Sequence, residues 1–200
     1  MNDLEVIDDP EIAAVALEPI RSRLLAELSK PASSAALSAR VGIPRQKVNY
    51  HLRRLEAAKL VRVSAKRRWG GLVERLMVAT AASYIVSPGA MGPVASDPAR
   101  SGDRLSAGYL IALAARVVRE VGQLLRRAQK LDKRLATLSI DTEIRFRSPE
   151  ARAAFSRELT AGVAALVSRY HDESAPGGRR HRLIVAAHPK PDDGPPKEKP

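Results

Sequence analysis

The sequence contains no cysteine, and only 4% of its residues are aromatic. Without cysteine there can be no disulfides, thiolate metal sites, cysteine nucleophiles or iron–sulfur clusters, which is compatible with a reducing cell interior. No run of roughly 18 uncharged apolar residues is present, so we expect no membrane-spanning helix and no membrane partner. The acidic start Met1–Glu5 does not resemble a secretory signal, so we expect a cytoplasmic protein.

Common catalytic signatures are also missing. The chain has no Gly-x-Ser-x-Gly, Gly-x-x-x-x-Gly-Lys or His-Glu-x-x-His motif, so we expect neither an enzyme nor a cofactor. One cluster could bind zinc, because His171, Asp172 and Glu173 together with His181 and His188 offer nitrogen and oxygen ligands. A solvated polar helix end accounts for the same residues, and we predict no metal there.

Positive charge is abundant and local. The chain has 34 Lys and Arg against 22 Asp and Glu, a net charge of +12. Residues 40–75 hold eleven basic and two acidic side chains, a net charge of +9, whereas residues 1–39 carry −4. A basic segment of this kind is typical of nucleic-acid binding, so we expect double-stranded DNA as a partner of this segment.

Residues 10–58 are predicted to form short helices. Asp8-Asp9 offers an acidic cap in front of Pro10, and Pro10 and Pro19 stand where first helical turns begin. Ser33 or Ser34 can cap the helix that follows. Gly42 stands where a left-handed residue ends a helix. Pro44 begins the last helix of this segment, whose predicted buried stripe comprises three residues: Val48, Leu52 and Leu55.

An alternating pattern follows and predicts a β-hairpin with a turn at Gly70-Gly71. Its first strand is expected to place Val61, Val63 and Ala65 on one face, with Arg62, Ser64 and Lys66 on the other. Trp69 fits equally a packing residue under the hairpin and a DNA contact. Residues 79–86 either extend the second strand or form a short helix.

Short helices followed by a basic hairpin predict a winged helix-turn-helix domain, in which the last helix enters the major groove and the hairpin contacts the backbone. The side chains assigned to base edges are Arg45, Gln46, Asn49 and Tyr50. The side chains assigned to phosphates are Lys47, Arg53, Arg54, Lys66, Arg67 and Arg68. For Tyr50 and His51, both phosphate contact and stacking stay open.

A long helix is predicted from about residue 103 to residue 139, roughly 50 Å at ~1.5 Å per residue. Its apolar residues recur at heptad spacing with one four-residue stutter: Leu110, Leu113, Val117, Val121, Leu124, Ala128, Leu131, Leu135 and Leu138. A helix of this length exceeds what a small domain covers, so we expect it to pair with a second copy of the chain.

A small module is predicted after this helix. Residues 140–147 alternate strictly and indicate a strand, Ser148-Pro149 begins a helix, and residues 183–187 indicate a second strand. Two strands alone are marginal in water, so a partner sheet from a second subunit is expected. The predicted fold class is α+β: a winged helix-turn-helix domain, a long dimerisation helix and a small α-β-α-β module.

The predicted domain organisation follows from these patterns. It comprises a disordered N-terminus at 1–9, a winged helix-turn-helix domain at 10–86, a linker at 87–102, a dimerisation and effector region at 103–188, and a disordered tail at 189–200.

The run from Leu37 to Leu55, followed by Ala58-Lys59-Leu60-Val61, resembles the helix-turn-helix signature of ArsR-type bacterial regulators. The resemblance covers residues 18–80 and implies a dimeric transcription factor, often a repressor that an effector releases. Lys59 stands where glycine is usual, and Asn49 where serine is frequent. Metal sensing through cysteine-rich sites, known among relatives, is not carried over because this chain has no cysteine.

These observations predict a homodimeric regulator that binds a palindromic operator and responds to a small ligand. The rival hypothesis is a sequence-tolerant, chromosome-associated protein without an effector. A third hypothesis is a small-molecule-binding enzyme that retains a vestigial DNA-binding domain.

Overall fold

The computed structural model describes residues 1–69 and 72–191, in two compact units, Met1–Ala136 and Thr137–Pro200. Both helix and sheet are present, as expected for an α+β chain. In the first unit the elements are β1 (Asn2–Ile7), α1 (Pro10–Leu17), α2 (Pro19–Glu27), β2 (Ala32–Ser33), α3 (Ser34–Val41), α4 (Arg45–Ala57), β3 (Val61–Trp69), β4 (Leu72–Ala79), β5 (Ala81–Val86) and α5 (Ala107–Lys130). The second unit contains α6 (Pro149–Tyr170).

The helices begin and end at the predicted signals. Asp9 caps α1 in front of Pro10, and the Ser33 hydroxyl caps α3 by accepting a hydrogen bond from a backbone N–H. Gly42 ends α3 with a φ of 70°, a left-handed conformation that glycine adopts without steric strain. Ser148 caps α6 in front of Pro149. These local predictions are confirmed.

The core of the first unit lies between α2, α3 and α4. The fully buried side chains are Leu24 of α2, Leu28 directly after α2, Leu37 of α3, and Val48 and Leu55 of α4. Each of these side chains contributes roughly 1.5–3 kcal/mol of hydrophobic stabilisation when it leaves water. This packing fixes which side of α4 faces inward, and therefore which side faces solvent.

A hairpin and a second small sheet complete the unit. The three-stranded sheet has the order β2-β4-β3, and β3 and β4 form the predicted antiparallel hairpin. The chain then turns at Thr80, whose backbone N–H donates to the Tyr84 hydroxyl at 3.1 Å. Residues 81–86 form the separate strand β5, so neither alternative considered for residues 79–86 describes the whole segment.

The predicted disorder at residues 1–9 is wrong. Asn2–Ile7 forms β1, which pairs in parallel with β5, and Val6 and Ile7 are buried. Local composition does not reveal this strand, because the segment is short and acidic. Its pairing partner is also distant in the sequence, since Asn2 pairs with Ala81. Pairing between segments so far apart in the sequence depends on the fold that brings them together.

The segment at 87–102, predicted to be a linker, is folded against the first unit. It contains the 3₁₀ helices Pro88–Val94 and Pro98–Arg100, and Ala95 and Pro98 are buried. Arg116 of α5 pairs with Asp97 at 3.0 Å. The long helix α5 therefore belongs to the first unit, and the division of the chain falls after Ala136 rather than before residue 103.

The long helix is shorter than predicted. It ends at Lys130, and Asp132 follows with a φ of 49°, which is incompatible with a continuing right-handed helix. The predicted strands at 140–147 and 183–187 are wrong for the single chain, because neither segment is a strand. A strand needs a hydrogen-bonding partner, and neither segment pairs with a neighbour here. The predicted turn at Gly70-Gly71 and residues 192–200 of the predicted tail lie outside the described residues.

Candidate nucleic-acid interface

The turn between α3 and α4 is held by side chains that bond to its backbone. Ser38 donates its hydroxyl proton to the Ile43 carbonyl at 2.6 Å, directly across Gly42. Arg23 of α2 donates to the Val41 carbonyl at 3.2 Å. The bond from Arg23 satisfies a carbonyl that the end of α3 leaves without a helical partner. The two bonds connect the turn before α4 to α2 and α3.

The outer face of α4 is polar and basic. Val48, His51, Leu52 and Leu55 are buried on the opposite face. The predicted contact residues of α4 that are exposed are Arg45, Gln46, Lys47, Tyr50, Arg53 and Arg54, and Asn49 is half-buried.

Three of these residues project furthest from the core. At about 100° of rotation per residue, Gln46, Tyr50 and Arg53 lie opposite the buried stripe of α4. Tyr50 is 58% exposed, which is high for an aromatic side chain in a folded unit. The amide and phenol groups on this outermost line have hydrogen-bonding types that read base edges in a major groove, and the guanidinium of Arg53 suits a phosphate beside it.

Arg45 takes a different position. Its Nε donates to the Ser34 hydroxyl at 3.2 Å, so its guanidinium lies beside the start of α3. The sequence did not indicate this contact. Arg45 is thus placed at the flank of the outer face of α4, next to the helix α3 that precedes the turn.

His51, for which the sequence left phosphate contact and stacking open, is a buried residue of α4, so the expectation of a phosphate contact is wrong for it. Its side chain is 8% exposed, and its Nδ1 lies 3.6 Å from Glu18 Oε2. Within the described residues this Nδ1 has no hydrogen-bond partner. Glu18 in turn accepts a hydrogen bond from the Arg21 backbone N–H at 2.9 Å and so caps α2. The pair connects α4 to the junction between α1 and α2, and the spacing from Val48 to His51 to Leu55 could have placed His51 on the buried stripe.

The environment shifts the pKa of both residues downward. Burial lowers the pKa of His51, with smaller contributions in the same direction from the positive charges of Arg21 and Lys47, while Glu18 opposes the shift. For Glu18, burial raises the pKa, but hydrogen bonds from the backbone N–H groups of Arg21 and Ile20 outweigh it and lower the pKa overall. His51 is therefore held neutral and Glu18 ionised near neutral pH.

The hairpin is the wing of this domain, and a β-bulge divides its basic side chains between two faces. The strands shift register between Val63 and Ala65, so Ala65 does not share the face of Val63 as expected from strict alternation. After the bulge, Lys66 lies opposite Arg75 and Arg67 lies opposite Glu74. Directly opposed residues share a face, so Arg67 has a carboxylate beside it and Lys66 does not.

Lys66 and Arg68 share the face of the wing that is nearer to α4. Arg68 lies opposite Val73, and both Val73 and Arg75 alternate onto the face of the buried Met77. From this face, Arg75 forms an ion pair with Glu56 near the end of α4. Lys66, Arg67 and Arg68 are all exposed, and the side chain of Trp69 lies outside the described residues.

The described residues offer no metal site of three or more His, Cys, Asp or Glu ligands. The residues considered for zinc are exposed, and His171 and Glu173 approach only to 3.9 Å. The second unit has an open groove of about 400 Å³ along α6, lined in part by Phe155, Leu159 and Val185. Within residues 1–69 and 72–191, every helix is too short or too polar to cross a lipid bilayer.

Comparison with known proteins agrees with the helix-turn-helix assignment. A family model described as a helix-turn-helix domain matches residues 16–64, which run from α1 through α4 into the first residues of β3. No curated protein matches the chain. Among solved structures, the crystal structure of NolR from Sinorhizobium fredii is similar at 22% identity, covering 36% of this chain and 68% of that chain with a TM-score of 0.30. The family-model match shows a helix-turn-helix domain at residues 16–64, which supports a DNA-binding transcription regulator.

Proposed function

We propose that this chain is a cytoplasmic, sequence-specific transcription regulator of the ArsR type, which binds a palindromic operator as a homodimer and acts as a repressor. The outer face of α4 is the observation that carries the proposal. It presents Gln46, Tyr50 and Arg53 outermost on a helix whose other side is locked into the core. The match of residues 16–64 to a helix-turn-helix domain supports the same conclusion.

In this proposal α4 enters the major groove and the wing follows the phosphate backbone. Gln46 and Asn49 suit adenine and Arg45 suits guanine, because amide and guanidinium groups form paired hydrogen bonds with those base edges. Lys47, Arg53 and Arg54 contact phosphates beside the groove. Lys66 and Arg68 contact phosphates from the face of the wing that is nearer to α4.

Helix α5 supplies the contact between the two copies. Its inner side uses small residues, and a Cβ built on Gly122 would lie only 2.8 Å from Val6 Cγ1. Its other side leaves large apolar side chains uncovered, at exposed fractions of 39% for Val121, 46% for Leu124 and 66% for Leu131. We name this row, Leu110, Leu113, Val117, Val121, Leu124, Ala128 and Leu131, the α5 seam. A second α5 would cover it and set the two copies of α4 about 34–36 Å apart on DNA.

The proposal assigns the chain no catalysis and no cofactor. A repressor acts by occupying the operator, and a small ligand that alters the spacing of the two α4 helices would release it. The apolar groove along α6 is the proposed ligand site, since its lining by Phe155, Leu159 and Val163 suits an apolar molecule.

Selection of bound DNA from a random pool, followed by footprinting on bulk DNA, tests this function. The expected result is one enriched palindrome with half-sites one helical turn apart, protected at concentrations that leave other DNA uncovered. Uniform protection would instead establish the sequence-tolerant, chromosome-associated protein. Gln46→Ala, which alters the outer face of α4, is compared with the matched control Gln123→Ala, at an exposed residue of α5 outside the α5 seam.

A further inference from the structure

Residues 140–147 of the second unit have the sequence of a strand but no partner. The segment contains no Gly or Pro, and none of its residues has a positive φ. Ile140 is 84% exposed and Ile144 is 49% exposed, although both are β-branched residues that favour a packed sheet. Unpaired strand-like segments are templates for pairing with another chain, so this segment can form a strand when a partner strand is present.

The order of the charges identifies that partner. Asp141 and Glu143 come first, and Arg145 and Arg147 follow at the same two-residue spacing. If two copies of the segment pair antiparallel about Ile144, Asp141 lies opposite Arg147 and Glu143 lies opposite Arg145. All four charges of each copy then meet opposite charges on the same face of a two-stranded ribbon.

Other pairings lose this match. A parallel, in-register pair would place each charge opposite itself, and like charges directly opposed are destabilising. An antiparallel pair shifted by one step along the same face would place either Glu143 or Arg145 opposite its own copy. Residues 183–187 of the same chain carry no charge, so they offer the segment no electrostatic complement.

The uncharged face of the segment packs against helix α6. Thr142, Ile144 and Phe146 alternate onto it, and the Phe146 ring lies 5.3 Å from that of Phe155 in α6. A two-stranded ribbon is marginal in water but gains stability when it packs against a helix. Phe155 therefore marks where α6 would support the ribbon.

We propose that residues 140–147 pair with the same residues of a second copy as an antiparallel ribbon whose two-fold axis passes through Ile144. This inference rests on the homodimer of the proposed function and adds an isologous contact in the second unit. It makes the second unit, as well as α5, part of the dimer.

A single cysteine tests the axis, because the chain has none of its own. Ile144→Cys would place two thiols opposite each other, and mild oxidation should give a covalent dimer on a non-reducing gel. Ile140→Cys is the matched control: it lies on the same face and is more exposed. In the ribbon its two copies are about eight residues or ~27 Å apart, far beyond the ~7 Å limit between the Cα atoms of a disulfide. Equal cross-linking of the two variants, or none for Ile144→Cys, would overturn the proposal.

Charge exchange in the Ile144→Cys background tests the pairing itself. Asp141→Arg or Arg147→Asp alone places like charges opposite each other and should slow cross-linking roughly fivefold. Together they restore opposite charges and should return the rate to about that of Ile144→Cys. Glu143 is left unchanged because it also pairs with Lys190 of its own chain at 2.6 Å. A cross-linking rate that is the same in Asp141→Arg, Arg147→Asp and the double variant as in Ile144→Cys alone would refute the ribbon.

DNA binding separates failure of the ribbon from failure of the proposed function. Anisotropy with a selected DNA duplex reports on α4, which none of these variants touches, and far-UV circular dichroism checks that each variant folds. Specific DNA binding without preferred cross-linking at residue 144 would refute only the ribbon. Cross-linking without specific DNA binding would refute only the regulator.

Discussion

The basic side chains of the wing differ in what surrounds them. Lys66, Arg67 and Arg68 are consecutive and exposed, and by composition they are interchangeable. The bulge between Val63 and Ala65 separates them, since it places Arg67 opposite Glu74 and turns Lys66 to the other face. Basic residues that are equivalent in the sequence therefore have different charged neighbours in the folded hairpin.

Lys66→Ala should weaken binding to all DNA sequences alike and reduce the slope of log K against log salt by about one, as expected for a lost phosphate contact. Arg67→Ala should reduce the slope less, because Glu74 already offsets part of its charge. Fluorescence anisotropy across a salt series measures both slopes. A larger effect for Arg67→Ala than for Lys66→Ala would contradict the division of the wing into two faces.

Buried His51 makes stability depend on pH. Because its pKa in the folded chain lies below the ordinary value of 6.5, the unfolded chain takes up a proton more readily. The stability that neutral His51 provides is complete above pH 6.5 and is lost as the pH falls through the folded-state pKa. Glu18, with its lowered pKa, acts separately, below about its ordinary value of 4.5.

Urea unfolding at pH 7.5 and 5.5 checks this expectation. The wild type should lose unfolding free energy between the two pH values, and His51→Gln should lose less. His171→Gln serves as the control, because that side chain is exposed and should leave the pH dependence unchanged. If the wild type and His51→Gln respond equally to pH, another group is responsible.

Among the elements, α5 has two distinct packing sides. Small residues, namely Ala112, Ala115 and Gly122, are buried on one side, and Gly122 lets the helix approach Val6 of β1 closely. Arg126 strengthens that contact, with an ion pair to Asp8 and a hydrogen bond to the Val6 carbonyl at 2.5 Å. The close approach explains why a glycine is tolerated inside a helix that it would otherwise weaken by about 1 kcal/mol.

Gly122→Ala should therefore destabilise the first unit by about 1–3 kcal/mol, because the added methyl group would lie within 2.8 Å of Val6. This cost exceeds the helix-propensity gain of about 1 kcal/mol. Gly108→Ala in the same helix is the control, since its Cβ would come no closer than 3.9 Å to Ser106 Oγ and should be neutral or stabilising. Urea midpoints that rise for both variants would show that β1 can move away.

At the scale of the whole molecule, two uncovered surfaces support the proposed homodimer. The α5 seam and residues 140–147 both leave large apolar side chains uncovered, which a single chain in water tends to avoid. In the proposed dimer each of these surfaces would be covered by its own copy. Any substitution there acts twice, because an isologous interface contains each residue in duplicate.

Leu124→Glu should convert the proposed dimer to monomers, since two carboxylates would be buried in the α5 seam without partners. Gln123→Glu adds the same charge one position earlier, on an exposed side of α5 outside the α5 seam, and should leave the dimer intact. Sedimentation velocity distinguishes the two species. A Leu124→Glu chain that sediments like Gln123→Glu would remove α5 from the interface and leave residues 140–147 to account for assembly.

The sequence by itself determined the local structure of this protein. Asp9 with Pro10, Ser33, Gly42 and Ser148 placed helix ends, because caps act within one helical turn and need no distant partner. The apolar spacing in α4 likewise determined its buried stripe and, by exclusion, the outer face of α4. The basic and polar residues of that outer face could be assigned as candidate DNA contacts for the same local reason.

The tertiary structure alone decided which distant segments meet. β1 exists because β5 lies beside it, Arg45 turns toward Ser34, and His51 is buried beside Glu18. The strand-like pattern at 140–147 produced no strand in the single chain, because a strand requires a partner that alternation cannot supply. Hydrogen bonds within helices join residues close in the chain, whereas those of sheets join segments that only folding, or a second copy, brings together.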